Sequence, residues 1–147
     1  MTINLFCNKN LKFSYHISET FGGAVIIGKD YVLKDKRSVF IDQKAKIGKN
    51  VIIYENNRIE GDTVIEDNVT IFPNCFLSGS IIGKGSKIYS SVIVSSKIGK
   101  CSSIGPFCYL KKAQIHDHVK VGAFCEIKNF EIESGEVVKT ASIISKN

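Results

Sequence analysis

Aliphatic side chains recur every five or six residues along most of this chain, beginning at Ile41. A helix repeats about every 3.6 residues and a strand every two, so neither element accounts for the longer step. A short internal period of this kind predicts a solenoid, in which each unit stacks on the next and buries a continuous core. The 19 recurring positions are Ile41, Ile47, Ile53, Ile59, Ile65, Ile71, Leu77, Ile82, Ile88, Ile93, Ile98, Ile104, Leu110, Ile115, Val121, Ile127, Ile132, Val138 and Ile143.

A second pattern accompanies the first, because a small side chain usually stands two residues before each aliphatic position. Residues two apart on a strand face the same way, so each unit is predicted to be a short strand with one large and one small residue pointing inward. Glycine directly follows several aliphatic positions and suits a sharp bend, including one with positive φ. The small residues are Ala45, Thr63, Cys75, Ser80, Ser86, Ser91, Ser96, Ser102, Cys108, Ala113, Cys125 and Ala141, and the glycines are Gly48, Gly83, Gly99, Gly105 and Gly122.

Composition fits one folded unit of 147 residues, with 44% hydrophobic and 23% charged residues. Residues 1–36 lie outside the repeat, and Gly28-Lys29-Asp30 between two apolar runs predicts a hairpin there. We expect residues 1–36 to form a small cap on the repeat of residues 37–147, because the open end of a solenoid needs covering. The formal charge of +6 is spread along the chain, so we expect no nucleic-acid partner.

The compartment predicted from the sequence is the cytoplasm. No apolar run approaches the roughly 20 residues of a membrane span, and residues 1–10 lack the apolar core of a signal peptide. The five cysteines are odd in number and lack the spacing of a disulfide framework or a zinc site. We therefore expect neither a membrane association nor a structural metal.

The pattern resembles the hexapeptide repeat of left-handed parallel β-helices, in which three hexads make one triangular coil. Grouping the series in threes gives three columns and about six coils from its 18 intervals. The resemblance implies an all-β, single-stranded β-helix and a homotrimer. Outward-facing Phe40, Phe76, Val92 and Tyr109, one residue before the first column, would form the apolar face of that trimer. Tyr54, Phe72 and Tyr89 are expected to stack along one corner.

One stretch carries a more specific resemblance. Residues 104–111 (IGPFCYLK) and 119–128 (VKVGAFCEIK) are similar to the IGPFARLRP and HVGNFVEIKK segments of the bacterial bifunctional uridyltransferase and glucosamine-1-phosphate acetyltransferase family. The likeness extends over about residues 38–135. It implies a transferase-like protein related to UDP-N-acetylglucosamine biosynthesis.

Two phosphate-binding positions of that family carry over, as Lys111 and Lys128. Each directly follows an aliphatic position, and the two positions are three hexads apart. The columns therefore place them on neighbouring coils, roughly 5 Å apart. Two like charges at that distance repel unless an anion lies between them or the side chains splay into water, and both interpretations stay open.

Other features of the sequence depart from the family. The general-base histidine that the family places twelve residues beyond the lysine is replaced by Thr140, and the family's asparagine in VGNF is Ala123. By comparison with the family's pattern, we expect these 147 residues to hold neither a uridyltransferase domain nor a complete coenzyme site. Two interpretations stay open: a transferase with acetyl-CoA as candidate donor, or a catalytically degenerate trimeric module that binds a sugar phosphate or nucleotide sugar, or assembles with a separate uridyltransferase.

Two histidines lie within the repeat, His116 and His118, and they are weak candidates for a catalytic base. His116 occupies the turn position that holds glycine in neighbouring coils, which favours a structural role. A metal site shared between subunits through three histidines is not expected. Cys75, Cys108 and Cys125 are predicted to fill small inward positions of one column, whereas Cys101 falls at a turn.

Overall fold

The protein, a computed structural model, is all-β in the part that the structure describes. That part comprises the backbone of residues 16–20 and 23–27 and the backbone and side chains of residues 30–146. It contains no helix that could cross a bilayer. The strands are β1 (His16–Thr20), β2 (Gly23–Ile27), β3 (Tyr31–Leu33), β4 (Phe40–Ile41), β5 (Lys46–Ile47), β6 (Val51–Ile53), β7 (Arg58–Glu60), β8 (Val64–Ile65), β9 (Thr70–Ile71), β10 (Phe76–Ser78), β11 (Ile81–Ile82), β12 (Lys87–Ile88), β13 (Val92–Val94), β14 (Lys97–Ile98), β15 (Ser103–Ile104), β16 (Tyr109–Lys111), β17 (Gln114–Ile115), β18 (Lys120–Val121), β19 (Glu126–Lys128), β20 (Glu131–Ile132), β21 (Val137–Val138) and β22 (Ile143–Ser145).

Every third strand from β3 onward pairs in parallel, which divides the chain among three sheets. Sheet A has the order β1-β2-β3-β6-β9-β12-β15-β18-β21. Sheet B has the order β22-β19-β16-β13-β10-β7-β4, and sheet C has β20-β17-β14-β11-β8-β5. The twenty strands from β3 to β22, three to a coil, make about seven coils. The all-β parallel β-helix is therefore confirmed, and it has one more coil than the aliphatic series alone indicated.

The additional coil begins at β3, which lies within the segment predicted to be a cap. Tyr31, Val32 and Leu33 pair in parallel with β6, while β3 also pairs antiparallel with β2. The predicted hairpin is thus present in the strand pairing, and β1 extends it by pairing antiparallel with β2. The turn residues 28 and 29 lie outside the described residues, and the capping role of residues 1–36 stays a prediction.

The recurring aliphatic side chains form the core. Most are between 0% and 7% exposed, and the three columns run unbroken from Ile53 to Val138. Burying one such side chain contributes roughly 1.5–3 kcal/mol, so the columns supply the main stabilisation of the helix. The expected corner stack is also present: the ring centroids of Tyr54 and Phe72 lie 5.3 Å apart and those of Phe72 and Tyr89 4.2 Å apart.

The last coil departs from the predicted register. Ile143 was expected to point inward, but it is 78% exposed and lies opposite Glu126, whereas Ile144 pairs with Ile127 and packs against the core. The small position of this coil is accordingly Ser142, and Ala141 has a positive φ of 60° in the turn. The step from Val138 to the next core residue is therefore six residues, to Ile144. The predicted five-residue step to Ile143 was wrong.

The small inward residues link the coils through their polar atoms. Thr63 Oγ1 accepts a hydrogen bond from the Ser80 amide, Ser80 Oγ from the Ser96 amide, and Ser96 Oγ from the Ala113 amide. A second series of the same kind runs through Ser86 and Ser102. Within the described residues no buried side-chain nitrogen or oxygen is left without a partner. The small position is therefore a hydrogen-bonding position as well as a space-saving one.

Glycine after the aliphatic residue is required by close packing rather than by positive φ. Gly48, Gly83, Gly99 and Gly122 have ordinary φ values, but a Cβ at Gly99 would lie 2.6 Å from the His116 carbonyl oxygen of the next coil. Gly105, with a φ of 102°, is the one of the five predicted glycines that matches the original expectation. Positive φ occurs mainly two residues later in the same turn, for example at Cys101 and His118.

Candidate functional site

Lys111 and Lys128 occupy equivalent positions at the ends of β16 and β19. They are direct register partners in sheet B, as the hexad spacing predicted. Lys111 is exposed, and no carboxylate pairs with it among residues 30–146. Two ammonium groups thus project from adjacent coils of one sheet, which is a geometry that an oxyanion could bridge.

The two lysines differ in their charge environment. Lys128 Nζ forms an ion pair with the Glu126 carboxylate, two residues earlier on the same strand, and lies 5.4 Å from the centroid of the Tyr109 ring. The hydrogen bond to Glu126 raises the pKa of Lys128, with the charge of Glu126 adding to the effect. Lys128 is therefore cationic at neutral pH, but its charge is directed toward Glu126 and Tyr109. Of the two lysines, Lys128 is therefore the one engaged by a neighbouring carboxylate.

The basic character of this corner extends beyond the pair. Lys112 follows Lys111 directly in the chain, with a positive φ of 51° in the turn after β16. Lys146, beyond the end of β22, donates its amide to the Lys128 carbonyl. Four lysines consequently cluster at the ends of the last three strands of sheet B, with Glu126 as the carboxylate that pairs within the cluster.

His116 and His118 lie in the turn between β17 and β18, on the opposite side of the β17 strand from the lysine corner. His116 Nε2 hydrogen-bonds to Glu131 of the next coil, and this bond raises the pKa of His116. A raised pKa lowers the neutral, proton-accepting fraction of His116 at any given pH, which makes this histidine a less suitable general base. His118 is exposed at a positive-φ position of the turn. The structure brings neither histidine to Lys111 or Lys128, and their catalytic role stays a prediction.

His116 also belongs to a mixed cluster that the sequence patterns did not single out. One ligand atom each from His116, Glu131 and Glu133 lies within 4.8 Å of the others. Glu133 occupies the same turn position one coil later, so spacing of the hexads could have revealed the cluster. All three side chains are partly or fully solvent-exposed, and the Glu131 carboxylate already hydrogen-bonds His116.

The described cysteines are free thiols and follow the predicted division. Cys75, Cys108 and Cys125 are 2–3% exposed in the small inward positions, where their Sγ atoms approach backbone carbonyls. Burial raises the pKa of Cys75 to about 11 and also raises that of Cys108. Cys101 is exposed in a turn. The buried thiols are therefore packing residues and poor nucleophiles.

The outward face of sheet B carries the predicted apolar stripe with one interruption. Phe76, Val92 and Tyr109 are register neighbours, but Arg58 lies between Phe40 and Phe76. The Arg58 guanidinium lies 4.7 Å from the centroid of the Phe40 ring and forms an ion pair with Glu60. The stripe is thus continuous over three strands rather than four.

Phe107 and Phe124 form a second apolar feature, which the sequence patterns also did not indicate. They occupy the same turn position on adjacent coils, are 61% and 63% exposed, and stack with ring centroids 5.4 Å apart. Both have positive φ, 59° and 57°. Positive φ is regular at this turn position, because Asn74 and Ser90 of earlier coils share it. The turns that carry them lead directly into β16 and β19.

An open depression of about 320 Å³ lies elsewhere, on the early coils. Its charged lining comes from Lys46, Glu66, Asp67 and Lys84. The Glu66 and Asp67 carboxylates accept the backbone amides of Lys84 and Lys49, respectively. These acids therefore brace turns between coils, and the depression lies well before the lysine pair along the helix.

Sequence comparison shows similarity to bacterial proteins named bifunctional protein GlmU. The chain is 37% identical over 111 residues to the one from Clostridioides difficile and 39% identical over 101 residues to the one from Clostridium kluyveri. The matches cover 75% and 68% of this chain but only 24% and 22% of those relatives. The chain therefore spans about a quarter of their length, matching their C-terminal region. No family model matches the chain.

Solved structures support the same fold. A mutant of perosamine N-acetyltransferase from Caulobacter crescentus, in complex with CoA and GDP-perosamine, superposes with a TM-score of 0.60 at 15% identity. That match covers 72% of this chain and 50% of that one. A putative acetyltransferase from Bacillus cereus gives a TM-score of 0.55 at 20% identity, covering 80% and 75%. The resemblance inferred from residues 104–128 is confirmed in sequence, and the β-helix is confirmed in structure.

Proposed function

We propose that this chain is a hexapeptide-repeat, transferase-like protein of UDP-N-acetylglucosamine biosynthesis that binds a sugar phosphate or nucleotide sugar at Lys111 and Lys128. The observation that carries the proposal is the coincidence of two independent findings. The lysines are register partners on adjacent strands. They also lie in the segment through which the chain resembles GlmU, to which it is 37–39% identical over more than two thirds of its length.

The chemistry of the lysine corner suits an anionic ligand. A lysine binds phosphate as a point charge and does not require the planar, bidentate geometry of arginine. Strands of one sheet lie about 4.8 Å apart, so the bases of Lys111 and Lys128 are close enough for one phosphate group to contact both ammonium groups. Lys112 and Lys146 add positive charge at the same corner. A diphosphate would therefore be favoured over a single phosphate.

An acyl transfer from acetyl-CoA is the first candidate reaction. One solved neighbour is an N-acetyltransferase in complex with CoA, which supports a related donor for this scaffold. The catalytic residue is unassigned. Thr140, where the resembled pattern has its histidine, lies in the turn between β21 and β22 and carries no titratable group.

The absence of a histidine at Thr140 favours a second candidate function, a non-enzymatic binding or assembly module. In this interpretation the lysine corner binds a nucleotide sugar without acyl transfer, and the chain works with a separate uridyltransferase. Exposed Phe107 and Phe124, together with Phe76, Val92 and Tyr109 of sheet B, supply apolar surface for contacts between copies. We propose a homotrimer on this surface. The four free thiols of the described residues favour a reducing compartment such as the cytoplasm.

Calorimetry with UDP-N-acetylglucosamine, glucosamine-1-phosphate and acetyl-CoA tests both candidates. Lys128→Ala and Lys111→Ala should each weaken binding of the sugar phosphate or nucleotide sugar. Lys97→Ala, which removes an exposed lysine from β14 of sheet C, should leave binding unchanged and is the matched control. Acetyl-CoA binding with turnover supports the transferase, and nucleotide-sugar binding without turnover supports the module. Binding of none of the three ligands would refute the ligand proposal.

The oligomer is tested separately by multi-angle light scattering. A trimer mass that falls on substitution of Phe107 or Phe124 by serine would support the proposed surface. A clean monomer at micromolar concentration would rule it out.

A further inference from the structure

Glu126 holds a position from which it can compete with an anionic ligand. It is two residues before Lys128 on β19, so both side chains leave the same face of sheet B. Its carboxylate forms an ion pair with Lys128 Nζ. The carboxylate therefore contacts the same ammonium group that a phosphate oxygen would contact in the proposed site.

The surroundings of Glu126 show why its ion pair makes Lys128, but not Lys111, unavailable to a ligand. Its register partner on β16 is Tyr109, and on β22 it is Ile143. Lys128 Nζ lies over the Tyr109 ring, so the lysine side chain leans back along the strand toward Glu126. Lys111 has Tyr109, a neutral residue, two positions before it and is without a carboxylate partner among the described residues. Of the two equivalent lysines, Lys111 is therefore the one that is free to bind.

We propose that Glu126 is an affinity-determining residue, which occupies Lys128 in the unliganded chain and sets the affinity of the Lys111–Lys128 corner for dianionic phosphate ligands. The inference rests on the proposed function, because it concerns the same site. A ligand must break the Glu126–Lys128 pair and bring negative charge close to the Glu126 carboxylate. Ligands with two or more negative charges meet this cost through simultaneous contact with Lys111 and Lys128.

Glu126→Gln tests the proposal, because it keeps the shape of the side chain and removes its charge. UDP-N-acetylglucosamine is the probe, since its diphosphate diester keeps the same charge around neutral pH. Loss of the competing ion pair and of the repulsion between carboxylate and phosphate should tighten binding about threefold to tenfold. A merely structural role for Glu126 would weaken binding instead. Glu126→Asp retains the carboxylate and should bind within about twofold of the wild type.

Sheet B supplies a matched control. Arg58 and Glu60 of β7 are also two residues apart and ion-paired, with the cation over the Phe40 ring. Glu60→Gln removes one negative charge from the same sheet, far from the lysine corner. It should change the affinity for UDP-N-acetylglucosamine by less than about 1.5-fold if general electrostatics are unimportant at physiological salt. An equal gain in Glu60→Gln and Glu126→Gln would overturn the proposal.

A double-mutant cycle separates this proposal from the function on which it rests. In a Lys128→Ala background, Glu126→Gln should lose the part of its effect that comes from the ion pair and keep only the part that comes from carboxylate–phosphate repulsion, so its gain should be clearly smaller than in the wild type. If Lys128→Ala weakens binding but Glu126→Gln does not strengthen it, the site stands and this inference fails. If only Glu126→Gln binds the probe, the inference is supported. If neither wild type nor Glu126→Gln binds it, both fail.

Discussion

Replacing Ser96 by alanine should destabilise the helix, because its hydroxyl group is a hydrogen-bond partner inside the core. Ser96 is 5% exposed. Its Oγ donates to the Val94 carbonyl at 2.8 Å and accepts the Ala113 amide at 3.0 Å. The Val94 carbonyl keeps a partner in the variant, since it also accepts the Lys112 amide at 3.1 Å. The Ala113 amide has no other acceptor among the described residues and would be left unpaired.

The size of the effect follows from that single orphaned group. A buried donor left without its partner costs about 1–3 kcal/mol. Serine and alanine are both small, so the cavity term is minor. We expect Ser96→Ala to lower the free energy of unfolding by about 2 kcal/mol, which is roughly thirtyfold in the equilibrium constant. The free energy of unfolding of Ser96→Cys should lie between those of the wild type and Ser96→Ala, because a thiol is a weak hydrogen-bond acceptor.

Urea unfolding followed by far-ultraviolet circular dichroism measures the change, with hydrogen exchange of the Ala113 amide as the local readout. Ser142→Ala is the control, since its hydroxyl donates to the Lys139 carbonyl but accepts no described amide from a following coil. That variant should stay within about 0.5 kcal/mol of the wild type. A surface substitution usually changes the free energy of unfolding by no more than about 0.5 kcal/mol. A loss below about 0.5 kcal/mol in Ser96→Ala, with the exchange rate of the Ala113 amide unchanged, would therefore refute the reasoning.

Further predictions concern the turns and the titratable side chains. Gly99→Ala should destabilise the protein by about 2–3 kcal/mol in the same urea assay, because its Cβ would overlap the next coil, whereas Gly135→Ala, at φ 78° with open space around it, should lose only about 1 kcal/mol. Cys101 should react with a maleimide in the native state before the buried thiols do, and mass spectrometry of a partly labelled sample showing equal labelling would contradict this. The His116 pKa should exceed about 6.5 by NMR titration and fall toward that value in Glu131→Gln. Since the folded-state pKa of His116 is raised, the stabilisation by the His116–Glu131 pair should be complete below about pH 6.5 and be lost as the pH rises through the folded-state pKa. A free energy of unfolding that is unchanged over that pH range would argue against a contribution from the pair.

The fold could be predicted from the sequence because the sizes of the inward-facing side chains repeat regularly along the chain. Each inward pair of one small and one large residue has to fit the interior of a triangular coil, and few other structures impose that step. The prediction was wrong at Ile143, where the adjacent Ile144 fits a six-residue step equally well. The aliphatic spacing alone cannot choose between two neighbouring isoleucines. The small-residue pattern could not choose either, because Ala141 precedes Ile143 by two residues just as Ser142 precedes Ile144.

The role of glycine shows a different limit of sequence reasoning. A glycine directly after the aliphatic residue, such as Gly99, allows close contact with the next coil. A glycine three residues after the aliphatic residue, such as Gly135, allows a positive φ. Composition alone does not distinguish them, because the first role depends on the distance between coils. His116 stands where two neighbouring coils have glycine, which shows that the contact requirement varies along the helix. Only the stacked structure reveals which coils approach closely.

The position of the candidate site could be predicted from the sequence, but the ion pairing of its two lysines could not. Hexad counting placed Lys111 beside Lys128, and the strand register confirms it. What counting could not supply is the conformation of each side chain, which depends on the residue two positions earlier on the same face. That residue is Tyr109 before Lys111 and Glu126 before Lys128, so one lysine is free and the other is ion-paired. Two lysines in equivalent positions on one face of this β-helix therefore differ in ion pairing, because their neighbours at i−2 differ.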